Sequence, residues 1–511
     1  MTRVRWSGLC ATSVSMALTM SMTLTMTIAG AGLLGAGCGG GDGGAALDAA
    51  VSDGAITGDD AAASGDGAAS GDGAAVDLDA GPLQRSVEAA LAADGFSIGS
   101  GRFEILDLGD CCMQGRNCSG NNPSSPYGSF RVPRAPGQTV PNTREDGSGR
   151  SDVVRLRADE ALLYLGQTPP RAVYFGYTPY LMDRDDGMGG RRSAFASLSE
   201  TLNNHVIATA GADAFAGQVA IIATPDAATD ARVRAALLAG GWPAGAINTI
   251  VFDPTLARFG LDQAADTFAI LFRVALWADA GAGAAFLARP PGVVLRLTPA
   301  TSTLQPFARP PARPKNAGGS EAGLRTSVDA LETAIAARYA ATHVGSTLEV
   351  TGGVPDPDAC INGTASCAGD NRDTNYPATR FFQWLQGPDD FLVVYGVDHQ
   401  VTRKASYASV SVYALQHLVG VASVTSRDWA GSAADYVPGN AQVGSLYAWK
   451  IKRDCGSEAH CLSVPVAMCP SGIEAGRLSA LAFRTYVEPG YATAPDVATL
   501  ELDRVMRFVE R

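Results

Sequence analysis

Eight cysteines stand between residues 111 and 469 of this 511-residue chain: Cys111, Cys112, Cys118, Cys360, Cys367, Cys455, Cys461 and Cys469. An even set of this size reads as four disulfides in an oxidising compartment, and it commits segments far apart in sequence to one neighbourhood. Eight cysteines allow on the order of 100 pairings, so spacing decides only the local ones. Cys360–Cys367 is the easiest local loop. One pair is expected within Cys455, Cys461 and Cys469, with the third of that group reaching the N-terminal cluster. Zinc is the rival reading. No CxxC pair exists in the body and His460 is the one nearby imidazole, so disulfides are preferred.

Apolar residues make up 46% of the chain and charged residues 18%, enough for a large core. The net charge of −12 argues against a nucleic-acid partner. Arg3 and Arg5 open the chain, residues 8–37 carry no charge, and that run ends Leu33-Leu34-Gly35-Ala36-Gly37-Cys38. A short basic region, an apolar region and small residues form the secretory pattern. With the cysteine in place, about the first 45 residues resemble a bacterial lipoprotein precursor. The resemblance implies a signal peptide over 1–37 that takes Cys10 with it, lipidation of Cys38, and a membrane as partner. Gly39, with no aspartate there, implies the outer membrane or cell surface. The sequence departs from the family pattern in placing Leu34 four residues before Cys38, with Gly35 at the usual leucine position. An uncleaved anchor and an ordinary secretory signal are the alternatives.

Residues 38–82 are expected to be a disordered tether of Gly, Ala, Asp and Ser, with Ala-Ser-Gly-Asp-Gly-Ala repeated at 63–68 and 69–74. Such a segment buries too little apolar area to offset its ordering entropy. It holds nine aspartates and no basic residue, so most of the acidity belongs to it and not to the body.

The body reads as α+β: two weakly repeated α/β modules with mixed sheets, at 151–304 and 320–511. A disulfide-bearing segment at 83–150 precedes them and a proline-rich connector at 305–319 joins them. The repeat is drawn from Arg191–Ser199 against Arg403–Ser411, which brings His205 onto His417, and from Leu165–Gly176 against Leu385–Gly396. On that alignment 191–207 and 403–419 are helices, both histidines sit on apolar helix faces, and Thr178-Pro179 takes the place of Asp398-His399. Elsewhere the pattern predicts strands at 219–223, 247–252, 267–276, 391–397, 446–451 and 478–486. It also predicts a helix capped by Thr224 that stops at Gly240-Gly241, and another carrying Leu324, Val328, Leu331 and Ile335.

No HExxH, Walker loop or GxSxG is present in the body. Gly369-Asp370-Asn371-Arg372-Asp373 resembles the GDNR box of type I signal peptidases over those five residues, with no serine or lysine box before it. Asp370 and Asp373, beside the Cys360–Cys367 loop, are hard oxygen donors of the kind calcium takes. Asp398-His399 follows an apolar strand, where a scaffold presents reactive groups, with Lys404 and Tyr407 close behind. An imidazole beside a carboxylate suits a general base. His399, Asp398 and Lys404 are therefore the catalytic candidates, Arg372 and Tyr407 the ligand-binding ones, and Asp370 and Asp373 the metal ones. No cofactor is required and calcium is the metal that would suit. The leading expectation is a surface-tethered protein that binds an unidentified small molecule or surface ligand, or serves structurally. The others are an extracytoplasmic hydrolase built on His399 and Asp370, and a calcium-stabilised adhesion module.

Overall fold

The computed structural model describes residues 81–352, 356–365 and 367–511. The expected signal peptide, lipidated Cys38 and the tether up to residue 80 lie outside the described residues, while Pro82, placed in the tether, begins a helix. Gly81–Arg511 is one unit of mixed α and β structure.

Its first half opens with α1 (Pro82–Ala93), and Pro82 suits a first turn, where an N–H would go unused. Then come β1 (Phe96–Ile105), the short α2 (Leu108–Met113), β2 (Tyr127–Pro133), β3 (Ala161–Gln167), β4 (Ala172–Asp185), β5 (Arg191–Ser197) and β6 (Gln218–Thr224). Next are α3 (Ala227–Ala239), β7 (Ile247–Val251), β8 (Thr267–Trp277), α4 (Ala280–Ala288) and β9 (Gly292–Pro299). The strands run β5-β4-β8-β2-β1-β9-β3-β6-β7. One strand, β1, serves two layers: Phe96–Gly101 pairs with β9 and Arg102–Ile105 with β2.

Three layers result. Along β3, Leu163 and Leu165 face α1 and α3 and meet Val87, Leu91, Val233 and Leu237. Leu162 and Tyr164 point the other way, onto Phe130, Tyr177, Phe268 and Phe272 of the inner strands. Burial on both faces explains why the outer strands are continuous apolar runs.

The second half begins with α5 (Arg325–Tyr339) and β10 (His343–Leu348), followed by α6 (Pro357–Ile361). Its later strands are β11 (Phe391–Val397), β12 (Tyr407–Ala414), β13 (Val419–Thr425), β14 (Leu446–Lys452), β15 (Cys461–Ser463), β16 (Leu478–Tyr486) and β17 (Arg504–Glu510). The outer sheet is β10-β17-β11-β14-β15, and the inner sheet includes β16-β12-β13. This repeats the first half strand for strand. The outer order β1-β9-β3-β6-β7 becomes β10-β17-β11-β14-β15, and in both it ends in the same kind of parallel pair, β6–β7 and β14–β15. The inner order β8-β4-β5 becomes β16-β12-β13. Here too a helix covers the outer sheet, with Val328, Leu331 and Ile335 of α5 on Phe391, Val393 and Tyr395.

The two halves share a strand order, but the register of the repeat is not the one read from the sequence. Arg191–Ser197 and Tyr407–Ala414 are strands, not helices, and they are not equivalents, because β12 matches β4 and β13 matches β5. His205 is exposed in a turn and His417 is half-buried in the β12–β13 turn, so neither is a core residue on a helix. Segment 83–150 is not a preface, since β1 and β2 lie within the first sheet. The cap of α3 is Asp226, which accepts from Thr229 N, while Thr224 stands two residues earlier and accepts from Asp226 N.

All eight body cysteines pair: Cys111–Cys118, Cys112–Cys469, Cys360–Cys367 and Cys455–Cys461. The local loops and the long reach from the C-terminal cluster follow the spacing argument.

Candidate functional site

His399 opens the turn after β11 and is 2% exposed. Its Nδ1 lies 2.9 Å from Glu321, before α5, and its Nε2 3.7 Å from Asp503, before β17. Burial pushes the imidazole pKa down, but the two carboxylates outweigh it and hold it up at about 10. A histidine protonated at neutral pH is no general base. Asp398 takes N–H groups of Gln400 and Val401, a turn role. The Lys404 ammonium turns to Glu488 at 3.0 Å and the Gly318 carbonyl at 2.9 Å. His399 and Lys404 thus clasp the segments at 318–321, Glu488 and Asp503 to this turn, while Asp398 only shapes the turn itself.

The metal and ligand candidates also separate. Asp370 reaches into the other half, taking Ser197 N at 2.7 Å on one oxygen and the Ser197 hydroxyl on the other. Asp373 takes Tyr174 OH and Asn203 Nδ2, each at 2.9 Å. Burial lifts Asp370 to about 6 and Asp373 to about 7. Carboxyls with these bonds and such raised values do not form a calcium cage, and among the described residues no cluster of three or more His, Cys, Asp or Glu could hold a metal. Arg372 pairs with Glu200 at 2.6 Å and the Arg313 carbonyl at 2.7 Å, which ties the connector down. Tyr407 is fully buried and stacks on Tyr486 at 4.5 Å.

A different set of residues converges. The inner sheets of the two halves face one another, and between them lies a cavity of about 270 Å³. Its walls are mostly aromatic and aliphatic, among them Leu271, Phe195, Leu418 and Tyr486. Arg144, Arg273 and Arg484 also line it, and no carboxylate does. Arg273 and Arg484 are 5% and 6% exposed. On β8, Phe268, Ile270 and Phe272 face the core of the first half, so the strand alternation turns Leu271 and Arg273 to the cavity. On β16, Leu481 and Phe483 face inward and Ala482 and Arg484 outward.

The two arginines sit in matching surroundings. Arg273 donates to Thr178 Oγ1 at 3.2 Å and lies over Tyr127 and Tyr180, 5.5 and 5.4 Å from the ring centres. Arg484 donates to Ser411 Oγ at 3.3 Å and lies over Tyr376 and Tyr413, both at 5.6 Å. Arg273 reaches the Gly369 carbonyl of the second half at 3.4 Å, and Arg484 the Gly120 carbonyl of the first at 3.2 Å. Gly369 N donates to Phe195 O and Gly120 N to Leu418 O, each at 2.9 Å. Each half thus lends its Cys loop to the other. The residues before these glycines, Ser119 and Ala368, share a left-handed φ of 58° and 47°. Among the described residues neither buried arginine forms an ion pair. Asp370 is within electrostatic reach of Arg273 but spends its oxygens on Ser197.

A second hollow, of about 400 Å³ near Thr347–Val350, is rimmed by Arg325, Glu501 and Arg504, whose charges already pair with each other. It offers no unspent group.

The sequence reading missed Arg273 and Arg484. Their signal was a lone charge in an apolar strand, Phe272-Arg273 and Phe483-Arg484. A second signal was the shared run Cys111…Cys118-Ser119-Gly120-Asn121-Asn122…Tyr127 and Cys360…Cys367-Ala368-Gly369-Asp370-Asn371…Tyr376.

No protein-family model matches the chain, and no curated protein does. Among solved structures, it is similar to an uncharacterized protein from Burkholderia cenocepacia, at 14% identity and a TM-score of 0.36 over 84% of this chain and 87% of that one. It is also similar to an anti-sigma factor domain-containing protein from Clostridium clariflavum, at 8% identity and a TM-score of 0.12 over 80% and 92%.

Proposed function

We propose that this chain is an exported, lipid-tethered binding protein, and that it takes a small anion with an apolar body into the cavity between its halves. The carrying observation is the cavity's charge: two buried arginines, Arg273 and Arg484, with no ion pair among the described residues, and no carboxylate on the cavity's walls. A buried guanidinium without an ionic partner is costly to hold and is the group best shaped to fork onto a carboxylate or phosphate. Aromatic and aliphatic walls with a few placed polar groups are the usual make-up of a ligand site, and about 270 Å³ suits a ligand smaller than most drug-sized ones. Export is supported by the Cys38 signal and by four disulfides in the body.

Calorimetric titration of the full chain with benzoate and with its neutral isostere benzamide tests the binding reading. We expect benzoate to bind at least tenfold more tightly, from charge-assisted bonds of about 1.5–3 kcal/mol. Equal affinities, or no binding of either, would remove the reading. Metabolic labelling with radiolabelled palmitate tests the anchor. The wild-type chain should take the label and C38S should not.

A further inference from the structure

The two arginines are not merely near one cavity; they are the same residue of two copies of one fold. The β8–β4 register sets Leu271 opposite Thr178 and Arg273 opposite Gly176, and the β16–β12 register sets Ala482 opposite Ser411 and Arg484 opposite Ser409. Arg273 and Arg484 therefore hold the same place, as do Thr178 and Ser411, and Tyr180 and Tyr413. Tyr127 and Tyr376 follow their respective Cys loops at the same distance. Three phenols, Tyr127, Tyr376 and Tyr486, lie within electrostatic reach of both guanidiniums. The positive charges thus enter one small cavity from its two sides, with rings between them. Arg273 is held by two hydroxyls, Thr178 and Tyr180, and a borrowed carbonyl, and Arg484 by the Ser411 hydroxyl and a borrowed carbonyl; among the described residues neither forms an ion pair.

Resting on the reading of the cavity as an anion site, we infer that its ligand carries two anionic groups, one for each arginine, joined by a short apolar or aromatic body. A single carboxylate satisfies one guanidinium and leaves the other buried and unpaired. A dicarboxylate satisfies both, and its middle lies against the rings. The substrate class is therefore a compact dicarboxylate rather than a monoacid.

The test titrates the wild-type full chain with terephthalate against benzoate, and with adipate against hexanoate. We expect each diacid to bind roughly ten- to a hundredfold more tightly than its monoacid, one charge-assisted contact being the difference. R273Q and R484Q should each bring the diacid down to near the monoacid's affinity, with thermal melts and far-UV circular dichroism showing that the variants fold. If a diacid gains nothing over its monoacid while the monoacid binds, the two-headed ligand is wrong and the anion site stands. If no acid binds, both fall. The wild-type comparison decides the matter even if a variant fails to fold.

Discussion

At the scale of single residues, the charge on His399 is what allows Glu321 to be buried. The histidine's folded pKa lies above its unfolded value, so its contribution is fully present below pH 6.5 and is lost as the pH climbs through about 10. We expect the melting temperature to fall between pH 7 and 10. H399Q should be less stable at pH 7 by about 3–5 kcal/mol, because a buried carboxylate loses its partner. It should also lose most of that pH slope, and a variant melting curve parallel to wild type across the window would refute the clasp. Asp373 carries the same pH direction, through burial rather than through a partner charge. Its pKa is raised by burial, so its contribution is present below pH 3.8 and lost as the pH rises through about 7. D373N should match or exceed wild-type stability at pH 8 in denaturant titrations, and a loss beyond 2 kcal/mol would say the ionised form is needed. The sequence showed that these groups were ionisable and close to strand ends. It did not show their partners, because Glu321 and Asp503 come from 78 residues before and 104 after His399.

At the scale of elements, local encoding decided what was readable. The helix at α5 and the strands at β11, β14 and β16 carry their own periodicity or apolar runs, and the structure has them. The run Arg191–Ser199 has too few large apolar residues to separate a period of two from one of 3.6. It is a strand because β4 pairs with it, a contact that local pattern does not reveal. The cap of α3 can be tested by substitution: Asp226 accepts from Thr229 N at 2.9 Å, and its other oxygen takes Gln305 N. D226A should cost about 1–2 kcal/mol in chemical denaturation, and no measurable loss would remove the cap from the account. The Cys360–Cys367 loop matters for placement as well as stability. It ends where Ala368 and Gly369 take left-handed φ, which swings Asp370 toward Ser197.

For the whole molecule, one disulfide among the described residues joins the two halves, Cys112–Cys469, across 357 residues. A protease site introduced at the exposed stretch Thr301–Leu304 makes this visible. The nicked chain should run as one band on a denaturing gel without reductant and as two bands with it. Two bands without reductant would mean that the link is not made. Cysteine count and spacing made the staple readable in advance. The mirrored cavity was not readable in that way, since it needs both sheets folded before either arginine has a neighbour from the other half. Each half borrows a loop from the other to cover its own inner sheet, so the two are covered only as a pair. Asp370 now stands where the first copy keeps Asn121, and Ser197 where the second keeps Gly420. Inheritance can now alter one end of the cavity and leave the other as it was.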